Sequence, residues 1–194
     1  MALLDAVAAV GPDRGIFGLD SDTRASIDAL AAAVEVASPV AAPIARLDDL
    51  LNGRWRLLYT TLTILGRRRS RLSLSTASKP GFVSLGELYQ NVDAATGVAE
   101  SVVQFRVMGR VEGAFAITAS FTPQSDRRVG VAATGSSLTP PGLEKMLGEN
   151  VGLLTQIFDP TGWLDVTYLD DDYRLGRDDK GHLFVLQKVV EEDA

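Results

Sequence analysis

Six aspartates near the end of the chain have the chemistry of a calcium site but not its spacing. Residues 170–172 are three consecutive aspartates, with Asp165, Asp178 and Asp179 nearby, and carboxylate oxygens are ligands that Ca²⁺ prefers. An EF-hand loop beginning at residue 170 would have Arg174 at its fifth position and no glutamate to close it. We therefore expect solvated turn carboxylates, because aspartate is favoured in turns for its backbone hydrogen bonds, and no bound metal.

The sequence offers little for nucleophilic or cofactor chemistry. It has no cysteine and a single histidine, His182, beside a turn glycine. The Gly-x-Ser-x-Gly elbow and the glycine-rich phosphate and dinucleotide loops are absent. A lipid-modifying enzyme would instead need a buried carboxylate with a shifted pKa, and we expect the strand carboxylates Glu87, Glu100 and Glu112 to point outward. The sequence predicts a non-enzymatic protein with no catalytic residue and no cofactor.

A basic cluster stands out in this acidic chain, and it consists of Arg67, Arg68, Arg69 and Arg71. One interpretation is a solvated strand edge, where charged side chains discourage pairing with another sheet. The other is a membrane-surface patch for anionic lipid headgroups, since each basic residue near such a surface contributes about 1 kcal/mol. The sequence leaves both interpretations open.

Composition limits the classes of partner. The 194 residues carry a formal net charge of -6 with a pI near 4.8, which disfavours nucleic acid. Hydrophobic residues make up 46% of the chain, yet no run approaches the roughly 18 to 20 apolar residues of a membrane-spanning helix. The first residues lack a basic segment followed by an apolar one, so we expect no signal or transit peptide here.

The elements that would position these residues begin with the strand around Trp55. Gly53, Trp55, Leu57 and Tyr59 share one face of an alternating run, which is the period of a half-buried strand. A glycine two residues before a buried tryptophan suits the floor of a barrel. Nine alternating segments are predicted, at 53–61, 68–75, 83–92, 98–108, 111–121, 129–137, 163–169, 172–177 and 182–190.

This order of elements predicts a mainly β fold, an antiparallel, lipocalin-like β-barrel of about eight to nine strands. Residues 1–50 have helical spacing, with Ser21 or Asp22 as an N-cap, and a helix is expected over residues 143–158 before the last strands. That helix acts either as a plug or as a lid. We expect a single domain over residues 1–194, with a helical cap at 1–50 and the barrel at 51–190.

Two longer motifs resemble a known family. They are LNGRWRLLYT at residues 51–60 and YLDDDYRLGR at residues 168–177, followed by KGHLFVL at 180–186. With the leading helices, they make the chain similar to the plastid lipid-associated proteins, or fibrillins (PAP/fibrillin family), which are lipocalin-like. The resemblance implies lipid-associated proteins of thylakoids and plastid lipid droplets (plastoglobules) in photosynthetic organisms, with carotenoid, quinone or prenyl-lipid partners. It also implies a barrel floor built from Gly53 and Trp55, covered by Arg174 or Arg177.

The leading hypothesis is therefore a barrel that binds an apolar isoprenoid or lipid in its lumen, peripheral to a thylakoid or droplet surface and otherwise cytoplasmic or stromal. The alternative is a scaffold with a solid barrel that coats lipid surfaces or binds a partner enzyme. Period-2 alternation selects the candidate lumen residues, and a β-bulge would turn any of them to the other face. They are Trp55, Leu57, Tyr59, Leu72, Phe105, Phe115, Ile117, Val131, Val166 and Tyr168.

Overall fold

Alternating burial along eight strands builds a closed antiparallel barrel, which the computed structural model describes over residues 2–76, 79–148 and 150–190. The strands are β1 (Gly53–Thr60), β2 (Val83–Asp93), β3 (Val98–Val107), β4 (Val111–Pro123), β5 (Arg128–Thr139), β6 (Gly162–Leu169), β7 (Tyr173–Asp178) and β8 (Leu183–Lys188). Each strand pairs with its sequence neighbour, and β1 pairs with β8 to close the ring. The predicted mainly β barrel is confirmed.

The predicted strand over residues 68–75 is wrong, because the arginine cluster forms a short helix, α3 (Gly66–Arg71). Arginine is a good helix former, and the cluster has no alternating apolar residues to bury on a sheet. Among the described residues of this region, a single isolated bridge, Leu74 to Val83, adds to the sheet.

Two N-terminal helices, α1 (Ala2–Val10) and α2 (Ser21–Val36), cover the outside of the barrel wall. Their buried residues Leu3 and Ile27 pack with the outward-facing Leu175 of β7 and Val185 of β8. The N-cap of α2 is Asp20, whose side chain accepts a hydrogen bond from the Thr23 N–H at 2.9 Å. This position lies one residue before Ser21 and two before Asp22, the two predicted caps, and corrects them.

An ion pair fastens α2 to the barrel. Arg177 donates to both oxygens of Glu35, at 2.7 and 3.1 Å, and the Thr167 hydroxyl donates to Glu35 Oε1 at 2.7 Å. Bidentate pairs of this kind are among the stronger hydrogen bonds in proteins. Arg177 therefore holds α2 against the outside of the barrel.

The helix expected before the last strands is present as two pieces, α4 (Leu143–Leu147) and α5 (Asn150–Ile157). The break falls at Gly148, whose φ of 51° lies in the left-handed region. Leu143, Leu154 and Ile157 are buried in the main core. A side chain at Gly113 of β4 would place its Cβ 2.6 Å from Leu143 Cδ1, so α4 packs tightly against the strand and acts as a plug.

The opposite end of the barrel is closed by the segment before β1. A 3₁₀ turn (Pro43–Arg46) leads into a π-helical turn (Leu47–Leu51). The first turn is fixed to the β4–β5 loop by a hydrogen bond from the Ile44 N–H to the Asp126 carbonyl at 3.0 Å. The barrel thus has a plugged end at α4 and α5 and a floor at residues 43–51.

Candidate ligand-binding cavity

A cavity of about 200 Å³ lies inside the half of the barrel nearest the floor. Its wall is largely apolar and comes from inward-facing positions on several strands and from the floor segment. Members include Leu51, Leu57, Leu88, Val92, Ala99, Val103, Ala119, Phe121, Val129, Val131, Val166 and Leu186. Sites that enclose a whole drug-sized molecule have about 300–1,000 Å³, so this cavity has room for a segment of an apolar chain.

Trp55 is fully buried at the floor end of β1, although it is not itself among the residues that line the cavity. Its Nε1–H donates to the Leu51 carbonyl at 2.9 Å, which ties β1 to the floor segment. Arg174 lies with its guanidinium carbon 4.9 Å from the Trp55 ring centroid, and Lys188 Nζ lies 5.3 Å from the same centroid. Lys188 also donates to the Leu50 carbonyl at 2.7 Å. Both cations lie within cation–π range of the indole.

Of the two arginines expected to cover Trp55, the structure places Arg174 there. Residues 174 and 177 are an odd number of positions apart, so a regular strand points them to opposite faces. Arg174 points inward and lines the cavity, whereas Arg177 points outward to Glu35. Arg174 also donates to Gln90 Oε1. Burial lowers the pKa of Arg174 to about 10, so the guanidinium is still charged at neutral pH.

Three of the ten predicted lumen residues line the cavity, namely Leu57, Val131 and Val166. Two others, Tyr59 and Tyr168, face outward and pack in the layer beneath α1 and α2. The pairing register shifts between Leu57 and Tyr59 and again between Val166 and Tyr168. A bulge reverses the face of every later side chain, which is the physical reason for this correction.

The remaining predicted lumen residues fill the plugged half of the barrel, apart from Trp55 at the floor. Phe105, Phe115 and Ile117 are buried in the main core and are not part of the cavity lining. Leu72 is buried as well, but it caps the C-terminus of α3 rather than lying on a strand. Alternation identifies which residues face inward. Packing against the plug helices then determines which of those residues are buried in the core and which line the cavity.

Sequence reasoning missed the polar side chains of the cavity. Gln90 and Ser101 line it beside Arg174, and both continue the inward alternation of β2 and β3, with Leu88 and Val103 as their apolar neighbours. The same period-2 pattern therefore also predicts that Gln90 and Ser101 face inward. A criterion that takes only hydrophobic residues for the lumen leaves these two positions out.

The acidic residues mostly form turns and surface pairs, and Asp159 and Asp178 also line the cavity. Asp170 accepts hydrogen bonds from the N–H groups of Asp172 and Tyr173, and from the Tyr168 hydroxyl at 2.5 Å. Burial, with the Asp170 contact, raises the pKa of Tyr168 to about 12. Within the described ranges, no three His, Asp or Glu residues are arranged to hold a metal ion.

The three strand carboxylates do not line the cavity. Glu112 is exposed and pairs with Arg106, and Glu100 accepts from Asn91 Nδ2. Glu87 accepts from Arg14 at 2.5 Å. The second oxygen of Glu87 is buried without a hydrogen-bond partner among the described residues. None of the three is placed to act on a ligand in the cavity.

Arginines and exposed apolar side chains meet near α3. Phe82 and Met108 are each 63% exposed, and the Met108 N–H donates to the Phe82 carbonyl at 2.7 Å. A surface cleft of about 460 Å³ separates α3 from residues 79–82 and is lined by Arg69, Lys79 and Phe82. Among the described residues, no helix is long and apolar enough to cross a bilayer.

Comparison with known proteins identifies the family of the chain. The PAP_fibrillin family model matches residues 1–187. The chain belongs to the PAP/fibrillin family. It is 30% identical to the probable plastid-lipid-associated protein 1 of Arabidopsis thaliana, over 92% of this chain and 65% of that protein. It is 29% identical to plastoglobulin-1 of Pisum sativum, over 96% of this chain and 60% of that protein.

A third fibrillin relative is the chromoplast-specific carotenoid-associated protein C1 of an Oncidium hybrid cultivar, 28% identical over 92% of this chain and 65% of that protein. The chain thus spans 60 to 65% of the length of these three relatives. The first and third are named as plastid proteins associated with lipids or carotenoids, the second is named as a chloroplast plastoglobulin, and none of the three is named as an enzyme.

Proposed function

We propose that this fibrillin is a non-enzymatic lipid-binding protein that holds an apolar chain, from a lipid or an isoprenoid, in the floor half of its barrel. The observation that carries the proposal is the largely apolar cavity of about 200 Å³ inside the barrel. Empty apolar space is costly in a protein interior, which is otherwise close-packed. Two of the fibrillin relatives are named for plastid lipids or carotenoids, which supports the same proposal.

The size of the cavity limits what it holds. A volume of about 200 Å³ accepts one chain segment, so the rest of a long carotenoid or prenyl lipid would lie outside the barrel. We expect native mass spectrometry of protein purified from a carotenoid-producing host to show a bound lipid, which organic extraction then identifies. Protein that is empty after purification and takes up no lipid from vesicles would support the scaffold alternative with its partner enzyme.

A second part of the proposal is attachment to anionic membranes or droplets through the surface near α3. Four of the six large hydrophobic residues that are exposed in the described part of the chain lie in the segments that form this surface: Leu65, Phe82, Met108 and Val111. The arginines at positions 67, 68, 69 and 71 lie in α3 itself. Apolar side chains beside basic ones fit a lipid surface, where the former insert and the latter contact headgroups.

Vesicle co-sedimentation tests this surface. Replacing Arg67, Arg68 and Arg69 with glutamine removes about 3 kcal/mol of attraction, at about 1 kcal/mol per residue, so binding to vesicles with phosphatidylglycerol should fall roughly 100-fold. The matched control replaces the exposed residues Arg24, Arg56 and Arg127 with glutamine. Both triple variants change the net charge equally. Equal losses in the two variants, or binding that ignores salt and anionic lipid, would refute the proposed surface.

A further inference from the structure

Arg174 is a charged side chain inside an apolar barrel. It is 4% exposed and, with Thr60 and Thr61, is one of three buried polar or charged residues in the described part of the chain. Its neighbours are the Trp55 ring and the Gln90 side-chain oxygen. Burying a charge is costly unless it is paired or well hydrogen-bonded.

The charge of Arg174 has no carboxylate partner. Arg128 and Arg177 each pair with a carboxylate at 2.6 and 2.7 Å, but among the described residues no carboxylate oxygen lies within 4.0 Å of Arg174. Neutral Gln90 accepts one of its N–H groups. Neither of the other guanidinium nitrogens is both fully buried and unpaired. Arg174 lines the cavity, so these nitrogens can reach a ligand there.

A guanidinium is a planar fork of donors that matches a carboxylate, and charge-assisted hydrogen bonds of this kind are roughly twice as strong as neutral ones. Apolar residues form most of the remaining wall, Leu57 and Val166 among them. The wall also includes the carboxylates Asp159 and Asp178, and Asp178 pairs with His182 at 2.8 Å. Arg174 is thus the only cation among the described lining residues, in a mainly apolar wall. This arrangement fits a molecule with one anionic end and one hydrocarbon chain.

We propose that the cavity selects a single-chain lipid with a carboxylate head, which Arg174 binds while the chain lies against the apolar wall. The proposal rests on the proposed lipid-binding function and adds the chemistry of the ligand head. Gln90 is a positioning residue, because it holds the guanidinium through one donor and leaves the others for the ligand. A hydrocarbon without an oxygen would leave the cation of Arg174 unpaired and should bind more weakly.

Titration calorimetry with three twelve-carbon probes tests this selectivity. On delipidated protein at pH 7.5, dodecanoate should bind at least 10-fold more tightly than dodecan-1-ol or methyl dodecanoate. Arg174→Met should abolish that preference while still binding the alcohol, and Arg174→Lys should retain part of it. The control is Arg56→Met, which removes the same charge from an exposed position on β1 and should leave the preference unchanged.

The outcomes separate the two proposals. Equal affinity for all three probes would overturn the role of Arg174 and leave lipid binding intact. No binding of any probe would overturn lipid binding in the cavity and the head-group selectivity with it. Should Arg174→Met fail to fold, as judged by circular dichroism, the test rests on Arg174→Lys and on the three probes with the unaltered protein. Equal affinity of the unaltered protein for the three probes would still refute the selectivity for a carboxylate head.

Discussion

Ala119→Leu measures directly whether the cavity is empty. Ala119 of β4 is 3% exposed and lines the cavity. The substitution adds three carbon atoms, each worth about 0.8 kcal/mol when buried, and it immobilises a leucine side chain at a cost of about 0.5–1 kcal/mol. If the space is available, the free energy of unfolding of the delipidated protein should rise by about 1.5 kcal/mol. If the site is already filled, overpacking should lower it by about 1–3 kcal/mol.

The assay is urea unfolding followed by tryptophan fluorescence, which reports on Trp55 and Trp163. The control is Ala132→Leu, an exposed position on the adjacent strand β5, where a change within about 0.5 kcal/mol is expected. A filled cavity should also compete with the ligand, so Ala119→Leu should weaken dodecanoate binding at least 10-fold. A destabilised Ala119→Leu protein with unchanged lipid binding would refute the placement of the ligand in this cavity.

Three further predictions concern stability. Gly113→Ala should lower the free energy of unfolding by about 1–3 kcal/mol, because its Cβ would lie 2.6 Å from a plug leucine, whereas Gly135→Ala meets nothing within 4 Å and should be nearly neutral in the same urea experiment. Glu35→Gln should cost about 1–2 kcal/mol through its pair with Arg177, and adding Arg177→Gln should then cost little more; two additive losses would show that the residues are not coupled. The raised pKa of Tyr168, about 12, favours the neutral phenol in the fold, so stability should be retained below about pH 10 and lost as pH rises toward 12. Tyr168→Phe should reduce that alkaline loss in pH-dependent unfolding, and an unchanged alkaline profile would contradict it.

The strands show what local pattern predicts well. Alternation places β1, β3 and β4 within a residue or two of their observed bounds, because a strand with one buried face must alternate whatever its neighbours are. The arginine run at 67–71 contains no such alternation, and its assignment to a strand failed for that reason. Helix propensity of the arginines pointed the other way.

The candidate site was predicted less completely than the barrel. Leu57 and Val166 were identified, but Tyr59 and Tyr168, two residues further along the same strands, point to the outer wall after register shifts. A bulge depends on how two strands pair, so it is not visible in the sequence of either one. The predicted choice between Arg174 and Arg177 was open for a similar reason, since alternation separates their faces without saying which face is inward.

By itself, the sequence determined an antiparallel barrel with N-terminal helices, a floor at Gly53 and Trp55, and membership in a family recognised by its motifs. These properties depend on local periodicity and on residue types at fixed spacing. Only the tertiary structure decided that Leu143, Leu154 and Ile157 of α4 and α5 join the main core and that about 200 Å³ remains as a cavity in the barrel. It also decided that Arg174 points into that space without a carboxylate partner among the described residues. Volume and charge pairing depend on which distant side chains meet, and the pattern along one strand does not contain that information.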